Sequence, residues 1–178
     1  MNRIAILIFT FIIFPATSIA SCNLAADSSY PTRLGCLEQQ SETESNDGYA
    51  HLTLNGVEIY KAKTDLMTFI YDDYGVFNNK KYLVTKTIFT FTSFEPCIDR
   101  KYAGFCSVSV VLDFSGDKPV ISNGFTPDSG NSVIDWVSWG KANAIIVFQD
   151  ESKFKYEKGR VERVLNENKS TEESPEDR

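Results

Sequence analysis

Ser138 and Lys141 have a spacing suited to chemistry. Ser138-Trp139-Gly140-Lys141 is a Ser-x-x-Lys run. On a helix this spacing sets a lysine amine beside a serine hydroxyl, where the amine can activate the nucleophile. The flanking residues instead alternate as a strand does and then turn, and strand positions three apart point to opposite faces. Ser115-Gly116-Asp117-Lys118 repeats the spacing in a turn, and no Ser-Asp-Asn or Lys-Thr-Gly run is present. A small serine hydrolase using Ser138 and Lys141 is the second of two alternative functions.

Other reaction chemistries have less to build on. A Ser-His-Asp triad would have to use His51, the single histidine, and no Gly-x-Ser-x-Gly run is present. His51 opens a strand pattern and is expected to face solvent. Carboxylate pairs could be drawn from Asp72, Asp73, Asp113 or Asp135, but nothing in their spacing selects one. One histidine and no Cys-x-x-Cys give no metal-ligand set. No glycine loop suits a phosphate, so no metal and no cofactor is expected, and the chain reads as a non-enzyme.

Recognition has more to work with. If residues 133–139 form a strand, Trp136 and Trp139 point to opposite faces, so both cannot serve a one-sided core. One of them is then a candidate anchor for a partner. The last hairpin is locally basic, with Lys153, Lys155 and Arg160 as candidate contacts. Lys153 and Lys155 share a face opposite Phe154 and Tyr156. That face suits an acidic partner, and equally a solvated surface that guards a sheet edge.

The elements that must position these residues are strands. Residues 133–139, 144–149, 153–156 and 160–164 are alternating or apolar runs separated by short polar turns, as in an antiparallel meander. Residues 144–148 are apolar on both faces, which predicts a central strand covered on two sides. Residues 81–93 are dense in β-branched and aromatic types and read as a long strand, and 107–114 alternate cleanly. Asn55-Gly56 between 51–54 and 57–60 predicts a type I′ hairpin with Leu52, Leu54, Val57 and Ile59 inward. Over 64–74, Leu66, Phe69, Ile70 and Tyr74 fit a helical stripe, predicting one short helix. The expected fold class is all-β, about eight to ten strands in an antiparallel sandwich or barrel. One β domain spans 49–165, preceded by a loop-rich lead-in over 21–48 and followed by a disordered acidic tail over 166–178.

Residues 1–20 read as an export signal: Arg3, an apolar run to Phe14, Pro15, then small residues to Ala20. The apolar run is too short to span a bilayer, so the mature chain has no transmembrane segment. Export to the periplasm or beyond the cell permits disulfides, and Cys22–Cys36 and Cys97–Cys106 are the expected pairs. Ile19-Ala20-Ser21-Cys22 also resembles a bacterial lipoprotein box. That resemblance implies a lipid on Cys22 and an anchored structural protein of the envelope, the first alternative function. It would leave three cysteines, an odd number, and the parity favours the soluble form. The signal contains only one of the 18 basic residues, against 24 acidic ones in the whole chain. Such a balance excludes nucleic acid as a partner, since binding it needs a basic face. Small size, disulfides, acidity and the lack of a catalytic set predict an exported bacterial binding protein. Its expected kind is inhibitor, immunity or resistance, with a protein partner or else a small molecule.

Overall fold

The computed structural model describes residues 22, 29–65, 67–69, 74–79, 81–93 and 106–165. The export signal expected at 1–20, the tail expected at 166–178, and Cys97, Asp72 and Asp73 lie outside the described residues. Among those described, no helix is long and apolar enough to cross a membrane. The fold is all-β, with a large curled sheet and a second, four-stranded one.

The ladder between β7 (Lys81–Ser93) and β8 (Cys106–Asp113) is the wall shared by both sheets. Each strand alternates, and each alternation is buried on both sides. Phe89, Phe91, Val108, Val110 and Leu112 point into the curl of the large sheet. Ile88 and Val111 point the other way, into a second core. Strands covered on both faces favour β-branched and aromatic residues, and this pair supplies them almost without break.

The large sheet curls around the first core. Its order is β4 (Val57–Ala62), β3 (Ala50–Leu54), β2 (Gly35–Gln40), β1 (Ser29–Thr32), β7, β8 and β9 (Val120–Ile121). Pairing is antiparallel except at β1–β7, which is parallel at Thr32 and Val84. Asn55 and Gly56 take φ of 53° and 77°, the two positive values that a type I′ turn needs. Leu52 and Leu54 face inward from that hairpin as expected. Val57 does not: it is 67% exposed, because β4 is the sheet edge and has nothing beyond it.

Two further expectations are corrected. The described part of the lead-in, residues 29–48, is not loop-rich. It holds β1, β2 and a short helix, α1 (Glu42–Ser45), with Leu37 buried in the first core. The strands are short and their apolar residues few, so periodicity alone missed them. They are fixed instead by contacts from afar. The Asn55 side chain accepts from the Cys36 amide at 2.9 Å and donates to the Leu34 carbonyl at 3.0 Å. The short helix expected over 64–74 is absent from the described part of that segment. It carries β5 (Thr68–Phe69) and the start of β6 (Tyr74–Asn78), both paired with β7. Phe69 serves the first core from a strand, and the open edge of β7 overrides the local helical spacing.

The second sheet runs β10 (Ile134–Trp139), β11 (Asn143–Phe148), β12 (Lys153–Glu157) and β13 (Arg160–Arg163), a pure antiparallel meander. Its inner face packs Ala144, Ile146, Phe148, Phe154, Tyr156 and Val161 against Ile88, Val111 and Phe125. Phe125, Phe148 and Phe154 meet with ring centroids 5.1–6.1 Å apart. β11 is central, but it is not covered on two sides. Ile145 and Val147 are only half-buried on its outward face.

Candidate functional site

Strand register assembles the outward face of the second sheet into rows. Trp136, Val147 and Lys153 are aligned across β10, β11 and β12. Ser138, Ile145, Lys155 and Glu162 form the next row, completed by β13. Trp136, Val147 and Ile145 thus make the β10–β11 half largely apolar, with Ser138 the exception, while Lys153, Lys155 and Glu162 charge the β12–β13 half. Trp136 is 44% exposed. Trp136 thus stands exposed beside half-buried Ile145 and Val147, with charged side chains flanking them.

The two tryptophans do point to opposite faces, and only one is available. Trp139 aligns with Ala144 and Tyr156 on the inner face and packs against the second core. It belongs to the core and is no surface anchor. The basic residues are also less free than their sequence suggests. Lys155 pairs with Glu157 at 2.7 Å and Arg160 with Glu162 at 3.0 Å. Lys153 makes no ion pair among the described residues.

A buried polar cluster closes one end of the gap between the sheets. Lys86 and Asp113 are cross-strand partners on β7 and β8. Tyr156, from β12, donates to Asp113 at 2.8 Å. Lys86 is fully buried and crosses to the β10–β11 turn, donating to the carbonyls of Gly140 and, at 2.8 Å, Lys141. Its ammonium lies 4.9 Å from the centre of the Tyr74 ring. Burial pushes the Lys86 amine below its usual pKa, with the Asp113 carboxylate opposing that shift. Burial, then the bond to Asp113, raises the Tyr156 hydroxyl. The cluster is sealed and bolts one sheet to the other.

At the other end the gap opens into a cleft of about 420 Å³. Thr90 and Thr92 of β7 and Ser107 of β8 line it, with Thr68 of β5, Thr64 and Asp65. The facing wall is Ser132, Val133 and Ile134, where the chain leads into β10, and Phe148. Beside it, the Glu42 carboxyl sits above its usual pKa, because in its protonated form it donates a hydrogen bond to the Asp65 carboxylate.

The remaining candidates separate. Ser138 is on the outward face of β10 and Lys141 is exposed in the following turn, and no hydrogen bond joins them. Asp113 is buried in the cluster and Asp135 is exposed, so they form no carboxylate pair. His51 is not a free solvent-facing residue. Its Nε2 contacts Asp47 at 2.9 Å and its Nδ1 contacts Glu58 at 2.6 Å. The hydrogen bond to Asp47, and then that to Glu58, raises its pKa. Cys22 and Cys36 are bridged, with Cα atoms 5.0 Å apart. Cys106 is disulfide-bonded, and Cys97, its expected partner, is outside the described residues.

Comparison with protein-family models, with characterised proteins and with solved structures gave no match. The cleft and the Lys86 cluster had no motif to announce them. Their residues come from separate strands, and threonine and serine are ordinary strand residues. The one available signal was Lys86 itself, a charge between Thr85 and Thr87 in a strand otherwise suited to burial.

Proposed function

We propose that this chain is an exported, non-catalytic binding protein of the bacterial envelope, of the inhibitor, immunity or self-protection kind. It takes a protein partner on the outward face of β10–β13. Trp136 carries the reading: a large aromatic, 44% exposed, aligned with Val147 and flanked by Ile145. Such residues dominate the energetics of protein interfaces. Lys153, without an ion pair among the described residues, favours an acidic group on the partner, whereas Lys155 and Arg160 already have carboxylates beside them. The export signal read in residues 1–20 and the Cys22–Cys36 bridge support a periplasmic or secreted location. That bridge uses the sulfur that a lipid would need, which favours the soluble form over the anchored one.

The test is cross-linking of the tagged full chain in its native host, followed by reconstitution of the captured protein with the purified chain. A partner whose affinity falls at least about tenfold with Trp136→Ser supports the reading. A captured partner that binds Trp136→Ser and Lys153→Glu as tightly as the parent would place the interface elsewhere and overturn it.

A further inference from the structure

We propose that the cleft between the two sheets binds a neutral or amine-bearing mono- or disaccharide. The cleft is independent of the Trp136 face, which points away from the second core. Its volume, about 420 Å³, falls in the range of small-ligand sites.

The lining selects the ligand. Six hydroxyl side chains surround the cleft: Thr64, Thr68, Thr90, Thr92, Ser107 and Ser132. A hydroxyl both donates and accepts, so a ring of them matches a ligand whose own groups do both. Three remain unclaimed, since Thr68, Thr92 and Ser107 make no side-chain hydrogen bond to described residues. Two others are held in place. Thr90 shares a hydrogen bond with Ser109 at 2.9 Å, and Ser132 accepts from the Asp150 amide at 3.0 Å. Between these polar groups lie Val133 and Ile134, apolar surface on which the C–H face of a sugar ring can rest.

Charge narrows the class. Asp65 is the only charged residue lining the cleft, and no basic one joins it among the described residues. A carboxylate or phosphate ligand would meet a like charge with no cation lining the cleft among the described residues. A sugar amine would meet Asp65 favourably.

The experiment is an amide NMR titration of the full, isotope-labelled chain with glucose, N-acetylglucosamine, glucosamine and chitobiose. Glucuronate serves as the anionic counter-probe. The expected result is saturable shifts at Thr68, Thr92, Ser107 and Ser132 with millimolar or tighter affinity for at least one neutral or amino sugar. Glucuronate is expected to bind at least about tenfold more weakly. Asp65→Asn should reduce affinity for glucosamine and leave glucose unchanged. Thr68→Val/Thr92→Val keeps shape and strand propensity while removing two hydroxyls, and should lose at least about tenfold in affinity. Thr92→Trp should fill the cleft and abolish binding. No saturable shift with any of the four sugars would overturn the proposal. Equal binding of glucuronate, or unchanged affinity in the folded double-valine variant, would do the same.

Discussion

The Tyr156 hydroxyl, on the second sheet, donates to the Asp113 carboxylate, on the first, at 2.8 Å in a buried site. Lys86, across the ladder from Asp113, reaches back to the turn that begins β11. The two sheets are thus joined by polar bonds in both directions as well as by apolar contact. Removing one partner of a buried, charge-assisted bond costs more than the bond itself contributes, because the other partner stays desolvated. Tyr156→Phe is expected to lower stability by about 2 kcal/mol. Lys86→Met, which keeps most of the volume, should lower it by about 3 kcal/mol. Urea unfolding checks both, and a change under about 0.5 kcal/mol would mean that the cluster is open to water.

Trp136 and Trp139, three residues apart, should respond in opposite ways. Trp136→Ser alters an outward side chain and should shift stability by no more than about 0.5 kcal/mol, while weakening the partner complex. Trp139→Ala removes a side chain packed on the second core and should cost about 3 kcal/mol. Thermal unfolding of the two variants side by side separates the roles.

His51 gives a clean pH reading because it is the only histidine. Asp47 and Glu58 raise its pKa above the ordinary 6.5. The hydrogen bond to His51 lowers that of Asp47 below the ordinary 3.8. A raised imidazole value stabilises the fold fully below 6.5 and loses that contribution as pH rises through the folded-state value. A lowered carboxylate value stabilises it above 3.8 and loses that contribution as pH falls through its own folded-state value. The cluster should therefore contribute most between these limits. Proton NMR of the imidazole is expected to give a midpoint above 6.5. Asp47→Asn should bring it down, and a midpoint unmoved by that change would disconnect the pair.

The Cys22–Cys36 bridge spans 14 positions and ties the start of the described chain to β2. Closing a loop of this length contributes about 3 kcal/mol in the chain-entropy picture. Cys22→Ser/Cys36→Ser should lower the urea midpoint accordingly while leaving the far-ultraviolet spectrum of the sheets in place. An unchanged midpoint would mean that this bridge constrains nothing the unfolded chain does not already hold.

What the sequence disclosed depended on how locally each element is determined. β7, β8 and the final meander were legible because their alternation spans whole strands, and the Asn55-Gly56 turn because its backbone demands those residue types. β1 and β2 were not, because Leu37 and the Asn55 clasp act across separate segments. The spacing of Leu66, Phe69 and Ile70 suits a helix as well as a strand, and only the open edge of β7 decides for β5. Parity alone placed Trp136 and Trp139 on opposite faces, but which face was outside depended on the second core. Lys153 and Lys155 were legible as neighbours, and the carboxylate beside Lys155 lay only two residues away at Glu157. The cleft was illegible, since residues from Thr64 to Phe148 line it and no local pattern connects them.

Asn123 supplies a last consequence. Its side-chain amide accepts from the Val161 N–H at 2.9 Å and donates to the Val161 carbonyl at 3.1 Å. It thus occupies the outer margin of β13 as a neighbouring backbone would. Lys158 and Gly159 turn the preceding hairpin with φ of 50° and 85°, and a Cβ on Gly159 would come within 2.6 Å of Val120. The outer margin of β13 is therefore already docked against its own molecule. Runaway strand addition from that side is blocked by a single amide and the close seat of a glycine.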